Sequence, residues 1–220
     1  MSKFHSLKVI DVVRETADAI SVAFEVPAGL KSEYNYKQGQ YLTLKMMIAG
    51  EEVRRSYSIC SSPFDENELR VAIKKVQKGK VSSFINDQTK VGDVIDVMTP
   101  MGTFFSEMNP SNKKNYILFG GGSGITPMLS ILKTVLKAVP NSRITLFYRN
   151  NDEHSINFKK QLEELAVKNS DRLNLIHILN TAPAGHPELL TGMMTKEKNI
   201  SLIKNYVDLS ADNEFFVCGP

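Results

Sequence analysis

Cysteine is scarce in this chain: 220 residues carry two, Cys60 and Cys218, far apart. Two thiols cannot furnish an iron–sulfur centre or a structural zinc site of the usual spacing, so no metal is expected within these residues. Nor do they make the cysteine framework of a secreted domain, and the start, MSKFHSLKVIDVVRE, has no apolar core of signal-peptide length. No apolar run approaches the roughly 20 residues that a membrane span needs. The expectation is a cytoplasmic protein with reduced thiols and no membrane partner. Runs of basic residues interleaved with aromatics are missing as well, which argues against nucleic acid. The net charge of +3, from 27 Lys and Arg against 24 Asp and Glu, is mild and spread along the chain. It leaves an acidic protein partner open and selects nothing.

What is present divides into two halves with different periods. A chain of 220 residues, 42% of them hydrophobic, suits two domains of about 100 residues each. In the first half, residues 5–15, 19–26, 40–48, 52–59, 69–76 and 93–98 are short runs rich in Val, Ile and Tyr. Pro27-Ala28-Gly29, Ala49-Gly50 and Val91-Gly92-Asp93 punctuate them. Six such strands predict a small antiparallel barrel or sandwich, interrupted by one helix over 81–86. The polar stretch at 109–115 marks the boundary, giving domains at 1–110 and 111–220. Beyond it, strands at 116–119, 143–148, 173–179 and 214–217 alternate with helices. In the first helix Met128, Ile131, Leu132, Val135, Leu136 and Val139 share one face. The others are expected at 156–168 and 200–206. This alternation predicts a parallel sheet with helices on its faces.

Two stretches ask for a ligand. Gly120-Gly121-Gly122-Ser123-Gly124-Ile125-Thr126-Pro127 lies between an expected strand and an expected helix, where free amides favour an anion. Four glycines within five positions exceed what a turn requires. Yet Pro127 stands where a dinucleotide fingerprint has its third glycine, and no Gly-Lys-Ser/Thr follows, so the loop is a variant nucleotide site. The other stretch, RRSYSIC at 54–60, sets two cations beside an aromatic ring flanked by serines. Such a strand end suits a flat, anionic ligand.

Five motifs run in order along the chain: Arg55-Ser56-Tyr57-Ser58, Gly79-Lys80-Val81-Ser82-Ser83, Pro100-Met101-Gly102-Thr103-Phe104, Gly120–Pro127 and Cys218-Gly219-Pro220. Together, over nearly all 220 residues, they resemble the ferredoxin–NADP reductase superfamily of flavoproteins. Within it the chain is most similar to reductase components of multicomponent oxygenases, particularly the phenylacetyl-CoA epoxidase type. The resemblance implies an FAD-binding barrel at 1–110 and an α/β domain at 111–220 that binds NADH or NADPH. The implied activity is hydride transfer from nicotinamide C4 to flavin N5, with electrons passed on to a ferredoxin-like carrier or an oxygenase component. A ferredoxin, flavodoxin or free flavin reductase shares every motif. A non-catalytic relay protein is a further alternative, against which the retention of Ser58, Thr126 and Cys218 argues.

The resemblance also implies roles. Arg55 would pair with the FAD pyrophosphate, Tyr57 would lie against the isoalloxazine, and Ser58 would sit near N5, with Ser56 between them. Arg54 is left as a solvated neighbour. Gly79, Lys80, Val81, Ser82 and Ser83 would hold the pyrophosphate from the other side, and Val71, Ile73 and Lys74 would run beside the flavin. In the second domain Gly121, Gly122, Ser123 and Gly124 would cradle the pyridine nucleotide. Thr126 and Cys218 would lie near the nicotinamide, followed by Gly219 and Pro220. Ser58, Thr126 and Cys218 are thus the expected catalytic aligners.

Three departures stand out. Relatives often continue past Cys-Gly-Pro with a helix, a strand and a [2Fe–2S] domain, so truncation after Pro220 is expected, and a [2Fe–2S] cluster only if such a domain follows. Tyr148-Arg149-Asn150-Asn151 stands where many relatives have Tyr-Gly-Asn-Arg. Arg149 would favour the 2′-phosphate of NADP and the nearby Asp152 and Glu153 the ribose diol of NAD, leaving the choice open with a lean to NADPH. Gly192-Met193 replaces a frequent Gly-Arg.

Overall fold

The computed structural model describes residues 3–64 and 68–220. Contacts gather the chain into two compact units, Met1–Ser106 with Leu129–Thr134, and Glu107–Met128 with Val135–Pro220.

The first unit is built from β1 (Phe4–Thr16), β2 (Ala19–Glu25), β3 (Tyr41–Ile48), β4 (Glu51–Ser58), β5 (Leu69–Lys74) and β6 (Val94–Met98), with one helix, α1 (Lys80–Gln88). The six strands pair in the order β4-β3-β6-β1-β2-β5, antiparallel throughout. Alternation sets the faces: in β5, Leu69, Val71 and Ile73 are buried while Arg70, Ala72 and Lys74 face outward. Ala49 and Gly50, both at positive φ (51° and 81°), make the two-residue hairpin between β3 and β4. β1 serves two neighbours, β6 along Phe4–Lys8 and β2 from Lys8 onward, and its pairing with β2 shifts register twice. Such bulges bend a strand. The sheet's two ends meet where Ile59 bridges Val71 and the Cys60 N–H donates to the Arg70 carbonyl at 2.9 Å, so the sheet closes into the expected barrel. Leu7, Val22, Phe24, Leu42, Leu44, Ile59 and Ile73 fill it.

In the second unit β7 (Asn115–Gly121), α2 (Ile125–Ala138), β8 (Arg143–Asn150), α3 (Lys159–Lys168), β9 (Leu173–Leu179), α4 (Lys196–Tyr206) and β10 (Asn213–Cys218) alternate. The sheet is parallel, in the order β10-β7-β8-β9. The chain thus moves outward from β7 through β8 to β9 and returns to β7's other side, which makes the ends of β7 and β10 a topological switch point. Leu202 of α4 packs on Ile117, Phe147, Ile176 and Ile178 of the sheet.

Two boundaries differ from the sequence pattern by three residues or more. α3 begins at Lys159 rather than 156, because Phe158, buried, takes a left-handed φ of 58° and cannot continue a helix. α4 begins four residues before 200, where the Thr195 side chain accepts from Lys198 N at 3.2 Å and caps it. Among the described residues no helix is long and apolar enough to cross a membrane, and no group of three His, Cys, Asp or Glu could hold a metal ion.

Candidate functional site

In β4, Val53, Arg55 and Tyr57 lie opposite Met46, Leu44 and Leu42 of β3 and share their face. Tyr57 packs on the barrel core. Burial pushes its phenol up from the ordinary value, against a smaller pull from Arg55. Arg55 itself is exposed. Its guanidinium donates to the Arg54 carbonyl at 2.7 Å, and among the described residues no carboxylate pairs with it. Arg54 is engaged: it bonds the Glu52 carboxylate at 2.6 and 3.0 Å and lies 5.1 Å over the Phe4 ring. It is solvent-exposed, as the sequence suggests, and paired besides. Ser56 Oγ lies 2.9 Å from Thr43 Oγ1, and Ser58 is half-buried opposite Tyr41.

Gly79 is the N-cap of α1, and no side chain caps the helix. Its first-turn amides are left for an anion. A Cβ on Gly79 would come within 2.5 Å of Ser82 Oγ. That hydroxyl accepts from Val76 N at 3.0 Å and donates to the Gly79 carbonyl at 3.4 Å. Ser82 therefore braces the turn at the start of α1. Val71 and Ile73 are fully buried in the barrel and Val81 nearly so, so their side chains belong to the core. Lys80 pairs with Glu51 at 2.5 Å, holding that carboxyl below its ordinary value, and Lys74 pairs with Asp18 at 3.4 Å. Among the described residues the Ser83 hydroxyl has no partner. Arg55, Ser83 and the uncapped start of α1 are what this unit offers a diphosphate, and all three suit one.

In the second unit the glycine stretch is divided. Gly120 and Gly121 end β7, Gly122–Gly124 form one 3-10 turn with Gly122 at φ +52°, and α2 starts at Ile125. A Cβ on Gly124 would lie 2.0 Å from the Cys218 carbonyl oxygen, and one on Gly219 would lie 3.0 Å from Gly121 Cα. Only glycine allows the two strand ends to meet so closely. Thr126 is buried and its hydroxyl donates to the Ser123 carbonyl at 2.9 Å, so the turn takes up the group expected beside the nicotinamide.

At this switch point lies a cleft of about 450 Å³, mostly apolar, whose walls include Gly121, Arg149, Cys218, Gly219 and Pro220. Gly122, Ser123, Gly124 and Thr126 stand outside it. Arg149 donates to Asn180 Oδ1 at 3.1 Å and approaches Met193 Sδ at 3.1 Å. Burial raises the Cys218 thiol, keeping it a neutral contact surface rather than a thiolate nucleophile. Cys60, wholly buried in the other unit, is pushed up to about 12.

Residues 6–105 match the family model of the oxidoreductase FAD-binding domain, and residues 118–220 that of the oxidoreductase NAD-binding domain. One of the subunits of the 1,2-phenylacetyl-CoA epoxidase of Escherichia coli (strain K12) is 38% identical over 220 residues, all of this chain and 61% of that protein. NADH-cytochrome b5 reductase 1 of Lodderomyces elongisporus is 30% identical over 219 residues, 99% of this chain and 70% of that protein. A ferredoxin NADP+ reductase from Neisseria gonorrhoeae, solved with bound FAD and NADP, has the same fold: TM-score 0.75 at 22% identity, covering 98% of this chain and 85% of that one. The chain belongs to the oxidoreductases that join an FAD-binding to an NAD-binding domain, and it has the fold of ferredoxin–NADP reductase.

The chain spans about three-fifths of the length of its epoxidase relative, 61%. Its cleft is also lined by Phe119, Met194, Asn199, Ile203 and Phe215, which sequence reasoning missed. Phe119, directly before the glycines, was legible in position. Asn199 was not: its Oδ1 is buried without a partner among the described residues, a polar point in a mostly apolar wall.

Proposed function

We propose that the chain is an FAD-dependent NAD(P)H oxidoreductase that passes electrons to a redox protein, an iron–sulfur carrier or oxygenase component. Residues 1–110 hold FAD and residues 111–220 hold NADH or NADPH. The observation that carries the reading is the meeting of Gly124 with the Cys218 carbonyl, a Cβ there falling 2.0 Å away, at the switch point of a parallel sheet. That place takes nucleotides in open α/β sheets. The two free thiols support a reducing, cytoplasmic setting.

FAD, when bound, supplies the hydride acceptor and the means of passing electrons onward singly. The chain's own residues bind and orient. Arg55 presents a guanidinium shaped for a diphosphate, and the uncapped start of α1 and Ser83 add donors. Tyr57, held neutral and half-buried, offers its ring as an apolar wall. Ser58 aligns the reacting ring through its hydroxyl. Cys218 and Gly219, in the cleft wall, would close it around the nicotinamide, and Arg149 of the same wall would read a ribose or 2′-phosphate.

The test is spectroscopic. Purified protein, supplied with FAD, should show flavin absorbance that bleaches when NADH or NADPH is added without oxygen. A colourless protein after FAD addition, or a yellow one indifferent to both nucleotides, would sink the reading. The ratio of the two bleaching rates assigns the nucleotide.

A further inference from the structure

Two consecutive carbonyls of the glycine turn are each gripped by a buried hydroxyl. Tyr148, fully buried on β8, donates its phenol to the Gly122 carbonyl at 3.1 Å and accepts from Asn157 N at 3.3 Å. Thr126, 4% exposed, donates to the Ser123 carbonyl at 2.9 Å. Every peptide of this turn is trans, so a carbonyl and the N–H of the next residue point in opposite directions. Pinning the Gly122 carbonyl toward Tyr148 therefore turns the Ser123 N–H away from it. Pinning the Ser123 carbonyl toward Thr126 does the same for the Gly124 N–H. Gly122 at φ +52° followed by helical residues brings such amides side by side, the arrangement that binds anions. The Ile125 N–H also reaches the Gly122 and Ser123 carbonyls, and the two hydroxyls restrict this glycine-rich stretch further, lowering the ordering cost that would otherwise weaken binding.

We propose that Tyr148 and Thr126 are positioning residues: their hydroxyls preset the Gly122–Gly124 turn and so fix the affinity for the diphosphate of a pyridine nucleotide, without entering the chemistry. This rests on the nucleotide-binding reading above. It assigns a purpose to Tyr148, to which the sequence reading gives no role of its own, and a different one to Thr126 than contact with the nicotinamide.

The experiment measures NAD+ and NADP+ binding by calorimetry, and flavin reduction against nucleotide concentration by stopped flow. Tyr148→Phe removes one oxygen and keeps the ring. Its dissociation constant should rise about threefold to tenfold, the value of one neutral hydrogen bond. The rate at saturating nucleotide should stay within about twofold of the parent's. Thr126→Val should show the same split, and Thr126→Ser, which restores the hydroxyl, should recover most of the affinity. An unchanged dissociation constant in Tyr148→Phe overturns the proposal, as does a fall in saturated rate with affinity intact. If Tyr148→Phe fails to fold, the Thr126 pair decides alone: equal affinities for Val, Ser and parent overturn it. If the parent binds neither nucleotide, the functional reading itself fails, a separate result.

Discussion

Single residues carry the sharpest contrasts. Adjacent arginines in β4 have opposite fates: Arg54 is taken by Glu52 and Phe4, while Arg55 meets only a backbone carbonyl. Ser58, half-buried beside it, is the proposed aligner, so Ser58→Ala should slow flavin reduction by at least about tenfold while FAD stays bound. Rates unchanged in stopped flow would refute that role. Gly124 makes a purely steric demand. Gly124→Ala would set a methyl 2.0 Å from the Cys218 carbonyl oxygen, forcing backbone apart. The expected cost is about 1–3 kcal/mol, with nucleotide affinity lost. Denaturant titration beside calorimetry checks it, and a variant matching the parent in both would show that the strand ends can part freely. Residue types and spacing were legible here; hydroxyl allegiance was not. Ser82 and Thr126 look available in sequence, yet each satisfies a nearby backbone group, a choice fixed by turn geometry that no residue type announces.

Elements were read with more success, because period survives where contacts do not. The alternating runs of the barrel and the apolar face of α2 follow directly from burial. The starts of α3 and α4 did not, since a left-handed Phe158 and a capping Thr195 carry no hydrophobic period. Nor did the sequence show what fastens α1. Asn86, 3% exposed, donates to the Ile73 carbonyl of β5 at 3.0 Å and to the Ser82 carbonyl at 2.9 Å. Arg14 of β1 reaches its backbone carbonyl at 2.9 Å. One amide thus joins helix to sheet and holds the turn proposed to bind phosphate. Asn86→Ala should cost about 2–4 kcal/mol by leaving buried acceptors bare, and should loosen FAD. A fall in melting temperature and in flavin content together is the expected result. Loss of neither would mean that α1 is held by Val81 and Ile85 alone.

At the scale of the whole molecule, the pH range of stability has an identifiable origin in a buried imidazole. His177 on β9 lies beside Tyr148, ring centroids 5.9 Å apart, and neither ring nitrogen has a hydrogen-bond partner among the described residues. Burial lowers its pKa from 6.5 to about 4, helped by Lys159 and His186 and opposed by Glu153. The folded chain thus prefers neutral His177, and the unfolded chain binds the extra proton first. Its contribution is full above about pH 6.5 and is lost progressively as pH falls toward 4; at pH 5 the loss is about 2 kcal/mol. His177→Leu keeps the bulk and removes the titration. Since the imidazole has no bond to lose, the variant should match the parent at pH 7.5. At pH 5 it should unfold several degrees higher. Parallel melting curves for the two proteins between pH 7.5 and 5 would show instead that acid enters through other groups.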